Sequence, residues 1–178
     1  MKRKKNLAMF LAAALAMMVM PSALAAGQAD LAAARRATAA YHDAGQAEDA
    51  GYASTLGTPE EPSLGCFEKP GVGGMGLHYV DFTLVDGVVD ATAPEALVYE
   101  MRSNGKLKLV AHEYIVPDEL VDPASPPMLF GRHFHKHSVL PLWVLHAWIW
   151  APNPLGMFAD WNPRVGMCPD GVPVFGES

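Results

Sequence analysis

The sequence predicts an α+β domain: an N-terminal amphipathic helix, then a mainly antiparallel, curved β-sheet, with one disulfide. Three observations carry this expectation. An alanine-rich stretch with helical spacing comes first, an Asn-Gly dipeptide joins two alternating segments further on, and Cys66 and Cys168 stand far apart as the only cysteines. Helix first and strands afterwards argues against alternating βαβ units.

Ahead of that helix, Lys2, Arg3, Lys4 and Lys5 form a positive patch, and Leu7 to Met20 carries no charge. An apolar run of this length rises only about 21 Å as a helix, short of a hydrocarbon core of roughly 30 Å, so it fits a secretory leader better than a membrane anchor. Pro21 breaks the run, and Ala23-Leu24-Ala25 offers small residues where a signal peptidase reads. The expected organisation is a signal peptide over residues 1–25 and one secreted or periplasmic domain over 26–178, with no membrane span in the processed chain. Cleavage removes four of the 13 basic residues and none of the 19 acidic ones, so the exported part carries a net charge of −10. Such a surface repels phosphate backbones, which excludes nucleic-acid binding, and it attracts cations. In an oxidising compartment Cys66 and Cys168 pair most simply with each other.

Leu31, Ala34, Ala37 and Tyr41 recur at helical spacing, which predicts one helix over Ala29 to about Gly51, with an interruption at Gly45. Proline and glycine from Leu56 to Gly76 predict a loop pinned by Cys66. Leu77 to Leu84 alternates as a strand, with His78, Val80, Phe82 and Leu84 on one face. Leu97 to Arg102 and Leu107 to Val116 flank Ser103-Asn104-Gly105-Lys106, a hairpin signal because both turn centres need positive φ. In its second strand Leu107, Leu109, Ala111, Glu113 and Ile115 are expected to share a face. Four prolines with Asp118, Glu119 and Asp122 make Pro117 to Met128 an exposed excursion, a candidate lid. Leu140 to Trp150 is apolar apart from His146 and reads as a central strand; coil held by proline, aromatic contacts and the disulfide is expected after it.

His78, Glu113 and His146 thus fall in three separate strands, each in line with apolar neighbours. Buried, unpaired ionisable groups cost several kcal/mol, so these must be hydrogen-bonded, neutralised or bound to a cation. Two imidazoles and a carboxylate suit a mononuclear site for iron, zinc, copper or manganese, or the floor of a small-molecule site. The competing account makes them satisfied core groups of a non-catalytic structural or interaction protein, each imidazole donating to a backbone carbonyl and Glu113 pairing with Arg102, Arg164 or water. A metal-free acid and base pair is a third account. Glu100 lies about 13 Å along the strand from Glu113 in a simple hairpin. His133, His135 and His137 alternate and can share a side of an extended chain, although the neighbouring Arg132 and Lys136 repel cations. His42 and His112 read as surface residues.

The strings Met75-Gly76-Leu77-His78-Tyr79-Val80, Val110-Ala111-His112-Glu113-Tyr114-Ile115-Val116-Pro117 and His146-Ala147-Trp148-Ile149-Trp150, continued by Asn153-Pro154-Leu155-Gly156-Met157-Phe158-Ala159-Asp160-Trp161-Asn162-Pro163, resemble a group of uncharacterised exported bacterial proteins. The likeness implies export and a common fold, and no activity.

Overall fold

The structure is a computed structural model that describes residues 22–56, 65–170 and 174–176; the expected leader lies outside the described residues apart from 22–25. Helix α1 (Ser22–Thr38) leads through a 3-10 turn (Ala39–His42) into α2 (Ala44–Asp49). Alanine content favours helix throughout. The break falls at Asp43 rather than at Gly45, because Asp43 leaves helical geometry and its side chain accepts from Gly45 N–H as an N-cap. Gly27, Leu31, Ala34 and Thr38 form the buried stripe of α1, whereas Ala37 is exposed.

The strands follow as β1 (Ala53–Ser54), β2 (Cys66–Lys69), β3 (Gly73–Val80), β4 (Ala96–Met101), β5 (Leu107–Pro117), β6 (Met128–Leu129), β7 (Arg132–His133), β8 (His135–Lys136), β9 (Leu142–Ala147) and β10 (Val174–Gly176). Among the described residues one open sheet has the order β10-β2-β3-β4-β5-β9-β8, with β1 also paired to β3. Every pairing in it is antiparallel except β10 with β2. Helices plus this sheet, closed by Cys66–Cys168, make the chain the α+β protein expected.

One face of the sheet is covered by the helices. Leu31 and Ala34 of α1 pack on Tyr114, Val116, Leu145 and Ala147, and Ala47 of α2 belongs with Tyr79, Leu97, Tyr99 and Leu109. The opposite face carries Val80, Ala96, Ile115 and Val144, and beside them Val98 and Ala111 under Trp148 and Val165. This second face holds the candidate site.

Four expectations need correction. The expected loop of Leu56 to Gly76 contains β2 and the first half of β3. Glycine there serves close packing: a Cβ on Gly74 would run into the Gly166 carbonyl oxygen, and one on Gly76, whose φ is +114°, would stand 2.5 Å from that of Tyr99. Such contacts cannot relax cheaply because both partners are backbone. Gly74→Ala is therefore expected to lower stability by about 1–3 kcal/mol or more, read as a lower midpoint in urea. Strand β3 also ends at Val80, leaving Phe82 exposed.

The second correction concerns parity in β5. Val98 faces Ala111 but Tyr99 faces Leu109, so Val110 is an extra residue on β5. That bulge turns Leu109 to the helix face, while Ala111, Glu113 and Ile115 keep the other. Third, the strand expected at the centre is β9, next to the edge strand β8. Fourth, the C-terminal coil adds β10 and touches β3 through a bridge between Gly74 and Asn162.

Strand β5 runs past the start of β4, and there Glu95 Oε2 accepts the hydrogen bond from Ile115 N–H at 3.0 Å. Burial, with smaller contributions from Asp86 and Glu113, pushes this carboxyl up to about 8 despite the backbone donors. A folded-state pKa above the unfolded one means stability that is complete at low pH and lost as pH rises from about 4.5 to about 8. Glu95→Gln keeps the acceptor and removes the charge. It is expected to flatten that decline by up to about 5 kcal/mol at pH 8–9, at about 1.36 kcal/mol per pKa unit, measurable by denaturation at several pH values.

Candidate metal centre

Register builds the site. Val80, Ala96, Glu113 and His146 form one row across β3, β4, β5 and β9, and His78 lies in the next row, opposite Val98 and Ala111. Adjacent strands are spaced about 4.8 Å, so His78 and Glu113, two strands apart, meet only by leaning across β4. Ala96 makes this approach feasible because the residue between them has no side chain beyond Cβ.

The three side chains are almost entirely buried, at 3 % exposure for His78, 8 % for Glu113 and 1 % for His146. His78 Nε2 lies 3.1 Å from Glu113 Oε2, and His146 Nδ1 lies 3.7 Å from Glu113 Oε1. One ligand atom from each residue falls within 4.8 Å of the other two, and this is the one such cluster among the described residues. Phe67 packs edge-on against His78, and Trp148 lies against His146. Burial alone would raise the Glu113 pKa, but the two imidazoles beside it hold the carboxyl well below its ordinary range.

All four ring nitrogens of His78 and His146 are buried without a hydrogen-bond partner. At 3.1 Å the closest of them is near enough to the carboxylate, yet its ring N–H direction is not aimed at the oxygen. The backbone carbonyls that a purely structural role would need are not engaged, nor does Glu113 find Arg102, which sits 3.9 Å from Glu100 instead. Orphaned imidazole nitrogens cost about 1–3 kcal/mol each when buried. A cation takes one lone pair from each imidazole and so relieves two of the four nitrogens, and two nitrogens with one oxygen fit iron, zinc, copper or manganese. Ligand bonds near 2.0–2.2 Å draw such atoms closer than they stand here, an adjustment of about 1 Å within the reach of side-chain rotation.

Glu113 lines a cleft with two arms that also share Phe67, Met75, His137 and Val144; His78 lines the second arm, and His146 lines neither. The polar arm is bounded by His135, Lys136, Ser138, Asp160 and Trp161; the other is apolar. His135 Nε2 pairs with Asp160 Oδ2 at 3.2 Å, and that hydrogen bond raises the imidazole's pKa against the opposing effect of burial.

The alternating histidines do not converge. His133 Nδ1 approaches Pro126 O, His135 holds Asp160, and His137 Nδ1 accepts from the backbone of Val139 and Leu140. Glu100 stays outside the centre, with its Oε1 accepting from Gly166 N–H. His112, expected at the surface, is fully buried beneath α1. Thr38 gives its hydroxyl hydrogen to Ala34 O, so that oxygen accepts from His112 Nε2–H at 2.9 Å. Burial, then the charge of His146, lowers His112 to about 3, and it stays neutral. Its signal in the sequence was position: adjacent to Glu113, it must face the other side of β5, where the amphipathic helix packs. The Pro117 to Met128 excursion is largely exposed, and Asp118 fastens its base by accepting from Trp143 Nε1 and Lys136 Nζ, both at 2.8 Å. No protein-family model, curated protein or solved structure matches the chain.

Proposed function

We propose that this chain is an exported protein that binds one metal ion, iron, zinc, copper or manganese, through His78, Glu113 and His146, with open coordination positions facing the cleft. The observation that carries the reading is the set of four buried, unpartnered imidazole nitrogens around a single buried carboxylate. Apolar packing gives no reason to keep such a set, because breaking or orphaning buried polar groups is costly whereas apolar replacements are not. The basic-then-apolar leader, its small-residue cleavage motif and the Cys66–Cys168 disulfide support export. So does the resemblance to exported bacterial proteins in the strings that carry all three ligands.

Elemental analysis of protein purified from its secreted fraction tests the assignment. Close to one metal per chain is expected in the parent, and none in a His78→Ala, His146→Ala double variant. Retention of the native near-ultraviolet spectrum in that variant separates lost ligation from lost folding. A metal-free, folded parent that takes up none of the four ions on titration contradicts the proposal.

A further inference from the structure

We infer that the cleft over this centre takes a short aliphatic carboxylate, its oxygen head on the metal and its chain in the apolar arm. This rests on the metal reading above and adds the ligand class.

Charge selects the head group. A divalent cation held by two neutral imidazoles and one carboxylate keeps a net charge of +1, and an uncompensated charge at so buried a point is costly. An anionic oxygen ligand removes it, and oxygen donors suit the same ions. On the polar side His135, paired to Asp160, lines the same arm as Glu113.

The apolar arm selects the rest of the molecule. Val80, Val85, Ile115, Leu140, Leu142 and Val144 line it together with Glu113 and His78, so hydrocarbon wall adjoins two of the three proposed ligand side chains. Its volume is about 110 Å³. A cavity of about 150 Å³ holds a benzene molecule, so this arm accommodates about four carbons. Phe82 also lines the arm, at 70 % exposure. A chain of about four carbons beyond the carboxyl-bearing end, as in pentanoate or hexanoate, fills the arm while its carboxylate reaches the metal. His137 fixes the outer wall, because its Nδ1 holds the Val139 and Leu140 amides and so sets where Leu140 points.

Cobalt(II)-loaded protein provides the test, since its visible absorption reports changes in coordination. Acetate, butanoate, hexanoate and octanoate are titrated separately into the loaded parent and into Leu140→Ser, a change at a half-buried wall residue that leaves the three ligands in place. Affinity in the parent is expected to rise about fourfold per methylene, the equivalent of the usual transfer free energy, and to level off between hexanoate and octanoate. Leu140→Ser is expected to bind one cobalt as before and to lose at least about fourfold for hexanoate with little change for acetate. Equal affinity along the series with cobalt bound overturns the inference and leaves the metal reading intact. Chain-length dependence that survives unaltered in Leu140→Ser overturns the placement in this arm. Failure of the parent to bind cobalt or any of the four ions overturns both readings.

Discussion

Metal-stripped protein is expected to gain about 8–16 °C in Tm when zinc or manganese is added at roughly a thousandfold above its dissociation constant, and Glu113→Ala is expected to abolish the gain. Ligand that binds only the folded state contributes about 4.1 kcal/mol at that excess. A domain of this size shifts by roughly 2–4 °C per kcal/mol. The stabilisation has a structural source here: the cation takes up nitrogen lone pairs that the fold leaves buried and unpaired. Glu113 is the central member, lying between His78 on one side and His146 on the other. Its loss removes the one negative charge of the set and the group both imidazoles face. Even outer partners of metal ligands are worth tenfold to a hundredfold in affinity, so removal of this carboxylate should exceed a hundredfold. Glu113→Gln, nearly the same shape but neutral, separates charge from packing: it should lower the metal-free Tm, because the fold favours the ionised carboxylate, and should lose most of the response to zinc. Scanning calorimetry of parent and both variants, with and without zinc, reads all of these outcomes. An unchanged parent Tm at saturating zinc, manganese, iron and copper would exclude a resident ion of that kind.

The site was legible in the sequence because strand periodicity is local. His78, Glu113 and His146 each sit among apolar alternating neighbours, and a side chain in such a row has to face the interior. Glu113 and His146 prove to be direct cross-strand partners. The hairpin itself was legible for a similar reason, but Met101 pairs with Leu107 and Gly105 alone of the two turn residues takes a positive φ, so the connection is a three-residue loop over 103–105 and not the two-residue turn expected. What escaped the reading depends on contacts between distant segments. The bulge at Val110 shifts parity without any glycine or proline to announce it, so Leu109 was placed on the wrong face. Glycines around Gly74 look like loop until the 162–166 segment is laid against them. His112 looks like surface until Thr38 of α1 comes down on it. Asp160 and Trp161, which wall the polar arm, come from coil, where periodicity says nothing of direction.

That coil is held by the disulfide, and the second large effect follows from it. Replacing both Cys66 and Cys168 by serine is expected to reduce stability by up to about 4.7 kcal/mol, since the bond spans 102 positions and loop closure on that scale restricts the unfolded chain by about this amount. Guanidinium unfolding should show a lower midpoint with little change in slope. The native state also yields a sharper expectation. Cys66 lies in β2, whereas Cys168 ends the coil whose Asn162 pairs with Gly74 and whose Val165 packs beneath Trp148. Glu68 Oε2 accepts from Cys168 N–H and β10 pairs with β2, so hydrogen bonds still support the tether when sulfur is gone. Freed at that end, the coil carries Asp160 and Trp161 away from the cleft more often. His78, Glu113 and His146 belong to β3, β5 and β9, so none of the metal ligands lies on the tethered coil. The double serine variant should therefore keep one metal per chain at temperatures where it stays folded, while carboxylate binding over that metal weakens. Loss of metal in a still-folded variant would mean that the coil, and not the sheet register alone, holds the ligands in place.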